Sequence, residues 1–324
     1  MKLNNLTTSS NPLFSIIIPL YNKANFVKST IDQVLNQHFQ NFEIIVINDG
    51  STDASLEVVQ NIKNDKISIF TTKNQGVSAA RNFGVSKART DYMVFLDADD
   101  SWLPNHLENL KNLLDGFPDC GLYCTGYAKK IKSHVYPASF NKVPDDVNWR
   151  GIIPDYFESS ITNAIAWTSA SMVPKSVLLE LNGFDERITF GAGEDTDLWI
   201  RIALRYPVAF NNDVTAIHNL HAENRISNTK TDLRNFIDLD KYDSFTKNQP
   251  TLKTYLDINR FSIGIKYRLN GQHVLAESYF QKIDPYSLNS KQRMLIKKNQ
   301  QTLIVLKYLQ KNLRKWRINL SPFK

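Results

Sequence analysis

The stretch TDYMVFLDADDSW, residues 90–102, decides how the rest of the chain is read. Residues 92–96 form a short apolar run of the kind buried on both faces of a sheet. The run ends in three carboxylates, Asp97, Asp99 and Asp100, followed by Trp102 and Pro104. A buried strand that delivers clustered acids at its C-terminal end is costly unless something cationic meets them. Open α/β sheets bind ligands at that edge. Asp97 and Asp99, separated by the small Ala98, can both reach a divalent ion that also holds phosphate oxygens. The bland reading is a solvated acidic turn in which Asp100 or Ser101 caps the next helix.

Upstream, strands and helices alternate. Residues 14–19, FSIIIP, and 42–48, FEIIVIN, read as buried strands, and residues 67–70 as a third. Asn25 is placed to cap a helix carrying Val27, Ile31, Val34 and Leu35. Ser51 or Asp53 is placed to cap a second helix, with Leu56, Val58, Val59 and Ile62. A turn at Gly76 opens a third, rich in small residues, with Arg81 one turn in. The alternation predicts a parallel sheet with right-handed crossovers. Asn22, Asp49, Gly76 and Asp97 all fall just past strand C-termini, where a ligand should lie. PLYNKANF holds no glycine, so a Gly-rich dinucleotide turn is excluded there, and no GxxxxGK[ST] phosphate loop exists.

Four ordered segments, IIIPLYNKANFVKSTIDQVLNQ, FEIIVINDGSTD, NQGVSAARNFGVSKA and YMVFLDADD, resemble the inverting family 2 glycosyltransferases of the GT-A fold. The likeness runs almost without gaps through roughly the first 105 residues. It implies a Rossmann-like, mostly parallel central sheet flanked by helices, and a site for a nucleotide-sugar donor, with UDP favoured. By that resemblance Pro19, Tyr21 and Asn22 lie near base and ribose, Asp49 contacts uracil, and Gly76 and Arg81 lie near the nucleotide. Asp97, Ala98 and Asp99 form the DxD element that handles ribose and metal. A nucleoside diphosphate leaves poorly unless its charge is neutralised, and Mn²⁺ or Mg²⁺ suits an all-oxygen shell.

Further along, residues 106–114 read as a helix and 121–126 as a strand, whereas 128–160 lack clear periodicity. Trp149 and Trp167 suit either a sugar face or the core. Residues 164–173 read as a strand, with Pro174 opening a short helix. In NGFDERITFGAGEDTDLWIRIA, the spacing of Asp195, Leu198, Trp199 and Ile202 puts Glu194 and Asp195 at the start of a helix, where the dipole favours acids. Gly191 and Gly193 permit a close approach of the preceding loop to substrate. The resemblance implies an acidic pair here, with Asp195 as the base that takes the acceptor's proton and Glu194 as its neighbour; Asp197 is turned away from them. It also implies a histidine after the last core strand near the metal. His221 in HAENRIS is the choice, with His218 as the alternative and Arg225 or Ser227 near phosphate. The implied metal set is therefore Asp97, Asp99 and His221.

The 324 residues carry 42% hydrophobic and 22% charged residues, enough for a full core in one large domain with an appendage or in two domains. The boundaries expected are a flexible N-terminus over 1–11, a GT-A catalytic domain over 12–228 and a helical region over 229–324. Cys120 and Cys124, close together without nearby histidines, fit reduced buried thiols and not zinc. Neither a leader peptide nor a membrane-spanning run is read, which predicts a cytoplasmic protein. The net charge of +7 sits in the tail: after Asp284 there is no acid. That distribution argues against nucleic-acid binding. Residues 258–285 resemble one tetratricopeptide-like helix pair, too little for a solenoid. In the last segment Leu303, Leu306, Leu309, Leu313, Trp316 and Leu320 share a stripe among lysines and arginines. Such a helix suits an anionic membrane surface, here the inner face of the cell membrane, or else the core or a second copy of the chain. The function expected is metal-dependent inverting transfer from a UDP-sugar to a hydroxyl of a glycan or lipid-linked saccharide in cell-surface polysaccharide synthesis. The alternatives are an inactive GT-A-like scaffold or sugar-binding module, and a sugar nucleotidyltransferase, which would open with a Gly-rich basic loop.

Overall fold

The computed structural model describes residues 12–146, 148–223, 229–315 and 322. Phe14–Leu20 (β1), Phe42–Asp49 (β2), Ile67–Thr72 (β3) and Tyr92–Phe95 (β4) are parallel, with β1 between β2 and β4 and β3 outside β2. Their composition explains the placing. Every residue of β2 is buried, as its unbroken apolar run requires, whereas ISIFTT of β3 is partly exposed and lies at the sheet edge. Val27–Leu35 (α1) turns Val27, Ile31 and Val34 onto one face of β1, where they meet Ile16 and Ile18. Ser55–Gln60 (α2) follows β2. Val77–Lys87 (α3) covers the other face with small residues. A Cβ at Gly84 would stand 2.5 Å from Ile17 Cγ2, so only glycine lets α3 lie this close to β1.

The second half of the sheet is mixed. Ser101–Trp102 (β5), Leu122–Ile131 (β6), His134–Pro137 (β7), Arg150–Ile152 (β8), Ser171–Pro174 (β9) and Val208–Asn219 (β10) complete the order β3-β2-β1-β4-β9-β6-β10-β5, with β7 on β6 and β8 on β10. β6 and β10 are parallel, and β9 runs antiparallel between β4 and β6. His106–Gly116 (α4), Tyr156–Ser159 (α5), Lys175–Glu180 (α6) and Glu194–Ala203 (α7) pack around these strands. The α/β class and the helical extension expected from the sequence are present.

Local expectations were corrected in five places. Residues 164–173 are not one strand: only 171–174 pair, behind a 3₁₀ turn at Thr168–Ala170, because the Ser169 hydroxyl is drawn to the acids after β4. Asn25 does not cap α1; its amide donates to Glu223 Oε2 at 3.3 Å. Ser51 takes no part in capping α2; Asp53 Oδ1 accepts from Ser55 N at 2.9 Å, and the helix stops before Ile62. β6 runs on to Ile131, since Gly126 accommodates a bulge in β10 whose carbonyls a Cβ would meet at 2.7 and 2.8 Å. Neither Asp100 nor Ser101 caps a helix: Asp100 is buried, and Ser101 begins β5.

Pro250–Leu269 (α8), His273–Phe280 (α9), Ser290–Ile296 (α10) and Gln300–Lys315 (α11) form the C-terminal helices. The largest apolar cluster runs from Ile17 and Phe95 through Trp199 to Leu252, Tyr255 and Ile263, so α8 shares the core of the sheet. Arg260 is buried on α8 and held by Asp240, Asp243 and Asp257. The expected stripe on α11 is split: Leu303 is buried and Leu309 exposed, beside exposed Ile304, Val305 and Tyr308. Trp316 and Leu320 lie outside the described residues, as do Arg225 and Ser227.

Candidate active site

The C-terminal ends of β1, β2 and β4 bring the sequence-predicted donor residues to one edge. Tyr21 is exposed there, beside the partly buried Pro19. Asn22 takes a left-handed φ of 52°, and its Oδ1 accepts from Thr52 N at 2.8 Å, stitching the loop after β1 to the loop after β2. Asp49 is buried, and its two oxygens accept from Gln75 N and Gly76 N at 2.9 Å each. That fixes the Gly76 turn, whose φ of +93° suits glycine. Ala98 is buried, and its carbonyl accepts from Thr30 Oγ1 at 3.0 Å.

The three acids after β4 have different partners and therefore different states. Asp97 is joined to Arg81 Nη2 at 2.7 Å, and its backbone N–H donates to Ser169 Oγ. Asp99 is joined to Lys23 Nζ at 2.6 Å. Asp100 accepts from Ser169 Oγ at 2.7 Å and Asn219 N at 3.1 Å. Burial, with the charges of Asp97 and Asp99 close by, pushes its carboxyl well above the usual range, against the hydrogen bonds from Ser169 and Asn219.

Arg81 is 3% exposed and does not line an open cleft. Its guanidinium lies over the Phe184 ring at 5.1 Å and also reaches Glu194 Oε1 at 3.3 Å. One cation thus links the DxD element to the acidic pair at the start of α7. Burial and the neighbouring Asp195 raise Glu194 to about 7, against the pull of Arg81. Arg81 Nε and Glu194 Oε2 are buried without hydrogen-bond partners, a cost of about 1–3 kcal/mol each.

Asp195 is partly buried and accepts from Thr196 N at 2.7 Å. Its charge adds to burial in holding protons on the phenols of Tyr127, Tyr156 and Tyr255. Asp195 thus lies within electrostatic reach of three buried tyrosines, one of them, Tyr255, on α8. Asp197 is buried on the other side, where Arg201, Lys241 and Tyr242 hold it. Trp167 stacks on His218 at 4.9 Å beside Tyr127, while Trp149 packs over Gly151.

Both DxD carboxylates stand at the sheet edge, and a cation already meets Asp99, so the donor set suits a hard ion with oxygen ligands. His221 is exposed, and among the described residues no three His, Cys, Asp or Glu side chains are grouped to hold a metal. Two carboxylates make an incomplete shell that phosphate oxygens and water would have to finish. Sequence reasoning missed Lys23, Ser169, Asn219 and the three tyrosines. Only Lys23 lay within a quoted motif; the others reach the site through tertiary contacts.

Residues 15–179 match the family model described as Glycosyl transferase family 2. An uncharacterized glycosyltransferase of Rickettsia typhi is 31% identical over 213 residues, 65% of each chain. The chondroitin synthase of Pasteurella multocida is 28% identical over 93% of this chain and 32% of its own length. The minor teichoic acid biosynthesis protein GgaA of Bacillus subtilis is 42% identical over 30% of this chain and 24% of its own. The chain thus spans less than two thirds of these relatives. Among solved structures, S. aureus TarS 1–349 in complex with UDP-GlcNAc aligns with a TM-score of 0.60 at 16% identity, covering 85% of this chain and 82% of that one. The mannosyltransferase PcManGT of Pyrobaculum calidifontis, in complex with GDP-Man and Mn²⁺, gives 0.55 at 17% identity over 91% and 86%. These likenesses show the GT-A fold, and the family match over half of the sequence makes the chain a member of the family 2 glycosyltransferases.

Proposed function

We propose that the protein is an inverting enzyme that moves a sugar from a UDP-sugar to a hydroxyl of a glycan or lipid-linked saccharide, with Mn²⁺ or Mg²⁺, in the synthesis of a cell-surface polysaccharide. The observation that carries this reading is the single buried guanidinium of Arg81 tying Asp97 to Glu194. It holds an acid suited to the donor and an acid suited to the acceptor in one rigid unit.

Each group has a task. Tyr21, Asn22, Asp49 and the Gly76 turn form the nucleotide shelf. Asp97 and Asp99, with His221 as a third candidate, would hold the ion, which acts when bound as a Lewis acid on the diphosphate. Asp195 takes the proton of the attacking hydroxyl. The new bond forms from that oxygen to C1, and the C1–O bond to the terminal phosphate breaks with its electron pair leaving on phosphate oxygen. Buried Tyr127, Tyr156 and Tyr255 lie within electrostatic reach of Asp195 and lower the polarity of its surroundings. The likenesses to TarS with UDP-GlcNAc and to chondroitin synthase support the donor and the polymer class. α11 presents Ile304, Val305, Tyr308 and Leu309 with Lys307 among them, which suits contact with an anionic membrane surface. The deciding experiment is release of nucleoside diphosphate from a panel of UDP-, GDP- and dTDP-sugars with Mn²⁺, with and without acceptor saccharides. UDP released from a UDP-sugar supports the reading. No release from any donor would favour an inactive scaffold.

A further inference from the structure

Lys23 has no assigned role, yet it is the cation closest to the element on which donor binding depends. Its Nζ lies 2.6 Å from Asp99 Oδ2 and donates to the Glu223 carbonyl at 2.8 Å; the side chains of Lys23 and Asp99 are only 12% and 14% exposed. The backbone at this point is fixed. Lys23 N donates to Ser55 Oγ at 2.7 Å, and the preceding Asn22 is clamped to the loop after β2. A fixed backbone and a four-carbon stem keep the ammonium within a short radius of Asp99 while leaving it free to change partners.

We propose that Lys23 acts on the leaving group: its ammonium rests on Asp99 in the donor-free protein and shifts to the diphosphate oxygens when the nucleotide sugar and its ion bind. This rests on the metal-dependent donor reading above. An ion held by Asp99 takes over the carboxylate charge that Lys23 now neutralises, so the two cations compete for one acid. The oxygens shared with that ion then lie within reach of the displaced ammonium. A nucleoside diphosphate departs with a terminal phosphate of roughly −1.5 to −2 besides its inner phosphate, more than one divalent ion offsets. Lys23 supplies the remaining positive charge by donating N–H hydrogen bonds, without transferring a proton, as the electron pair of the broken C1–O bond arrives on the terminal phosphate.

The two roles have opposite signatures in binding. The full-length protein and its Lys23→Met and Lys23→Arg variants are titrated with Mn²⁺ alone, then with UDP, GDP and UMP in the presence of Mn²⁺, by calorimetry and Mn²⁺ paramagnetic resonance. Lys23→Met should bind Mn²⁺ alone about threefold or more tightly, since its competitor is gone, but should bind UDP with Mn²⁺ about tenfold more weakly. UMP should change little, and Lys23→Arg should stay near the parent in both titrations. Weakening of both ligands would mean a structural lysine. Tightening of both would mean a mere placeholder, and no change in either would leave Lys23 without a role; any of the three overturns the proposal. A parent protein that binds neither UDP nor GDP with Mn²⁺ would sink the donor reading and this proposal with it. Should Lys23→Met fail to fold, Lys23→Gln makes the same comparison.

Discussion

Replacing Glu194 with Gln isolates the electrostatics of the acidic pair. Glu194 is buried, is repelled by Asp195 and Asp97, and is paired with Arg81 at 3.3 Å. The balance lifts its pKa from 4.5 to about 7. An acid whose folded pKa is raised binds its proton more tightly in the native state. Its contribution is therefore intact below pH 4.5 and is lost as pH rises to about 7. The full offset corresponds to about 3 kcal/mol at 1.36 kcal/mol per unit, of which about 2 kcal/mol falls between about pH 5.5 and pH 8.5. Glutamine keeps the shape and cannot ionise. Urea unfolding of both proteins at those two pH values measures the difference directly. Glu194→Gln should gain about 2 kcal/mol relative to the parent at the higher pH, whatever its offset at the lower one. A parent-to-variant difference that stays constant across the two conditions would refute the argument, because it would mean that Glu194 is already ionised at the lower pH.

Other outcomes follow from the same geometry. Asp195→Asn should slow transfer by about 10²–10⁴-fold while leaving UDP affinity unchanged, as read by single-turnover kinetics beside calorimetry; near-normal turnover would place the base elsewhere. Asp99→Asn should weaken UDP binding with Mn²⁺ and leave binding without metal nearly unaltered, measured by the same calorimetry. Gly84→Ala should destabilise by about 1–3 kcal/mol in urea, because its methyl would meet Ile17 Cγ2. Liposome flotation with anionic lipid should recover the full chain and lose most of a form lacking residues 300–324; equal recovery would end the membrane reading.

The first half of the fold was legible because its strands are continuous β-branched runs and its helices keep their spacing. FSIIIPL and FEIIVIND leave no other choice of partner than a sheet covered on both faces. Residues 128–160 were not legible. β7 and β8 are short, exposed strands whose residues gain their conformation from β6 and β10. The missed turn at Thr168–Ala170 has the same cause: a β-branched and apolar run was overridden when Ser169 bonded to Asp100, 69 residues away. At the site, residue types that carry charge were visible, but their pairing was not. Nothing in the spacing of Arg81, Asp97 and Glu194 foretells that one guanidinium touches both acids.

That shared guanidinium explains why the residues beyond 179, outside the matched family segment, cannot be a passive appendage. Arg81 belongs to α3 and Asp97 follows β4, both within the segment, yet Glu194 opens α7 outside it. Removing Glu194 from the network would leave the buried guanidinium with Asp97 as its one ion-pair partner. Asp195, next in the chain, acts electrostatically on Tyr255 of α8, and Tyr255 packs against Phe157 at 5.5 Å. The order of dependence thus runs from Asp97 through Arg81 to Glu194 at the start of α7, and from there into the C-terminal helices. A truncation after residue 228 would strip Leu252, Tyr255 and Leu256 from the main core. It should therefore cost the acceptor side first, and the nucleotide shelf only through loss of the fold.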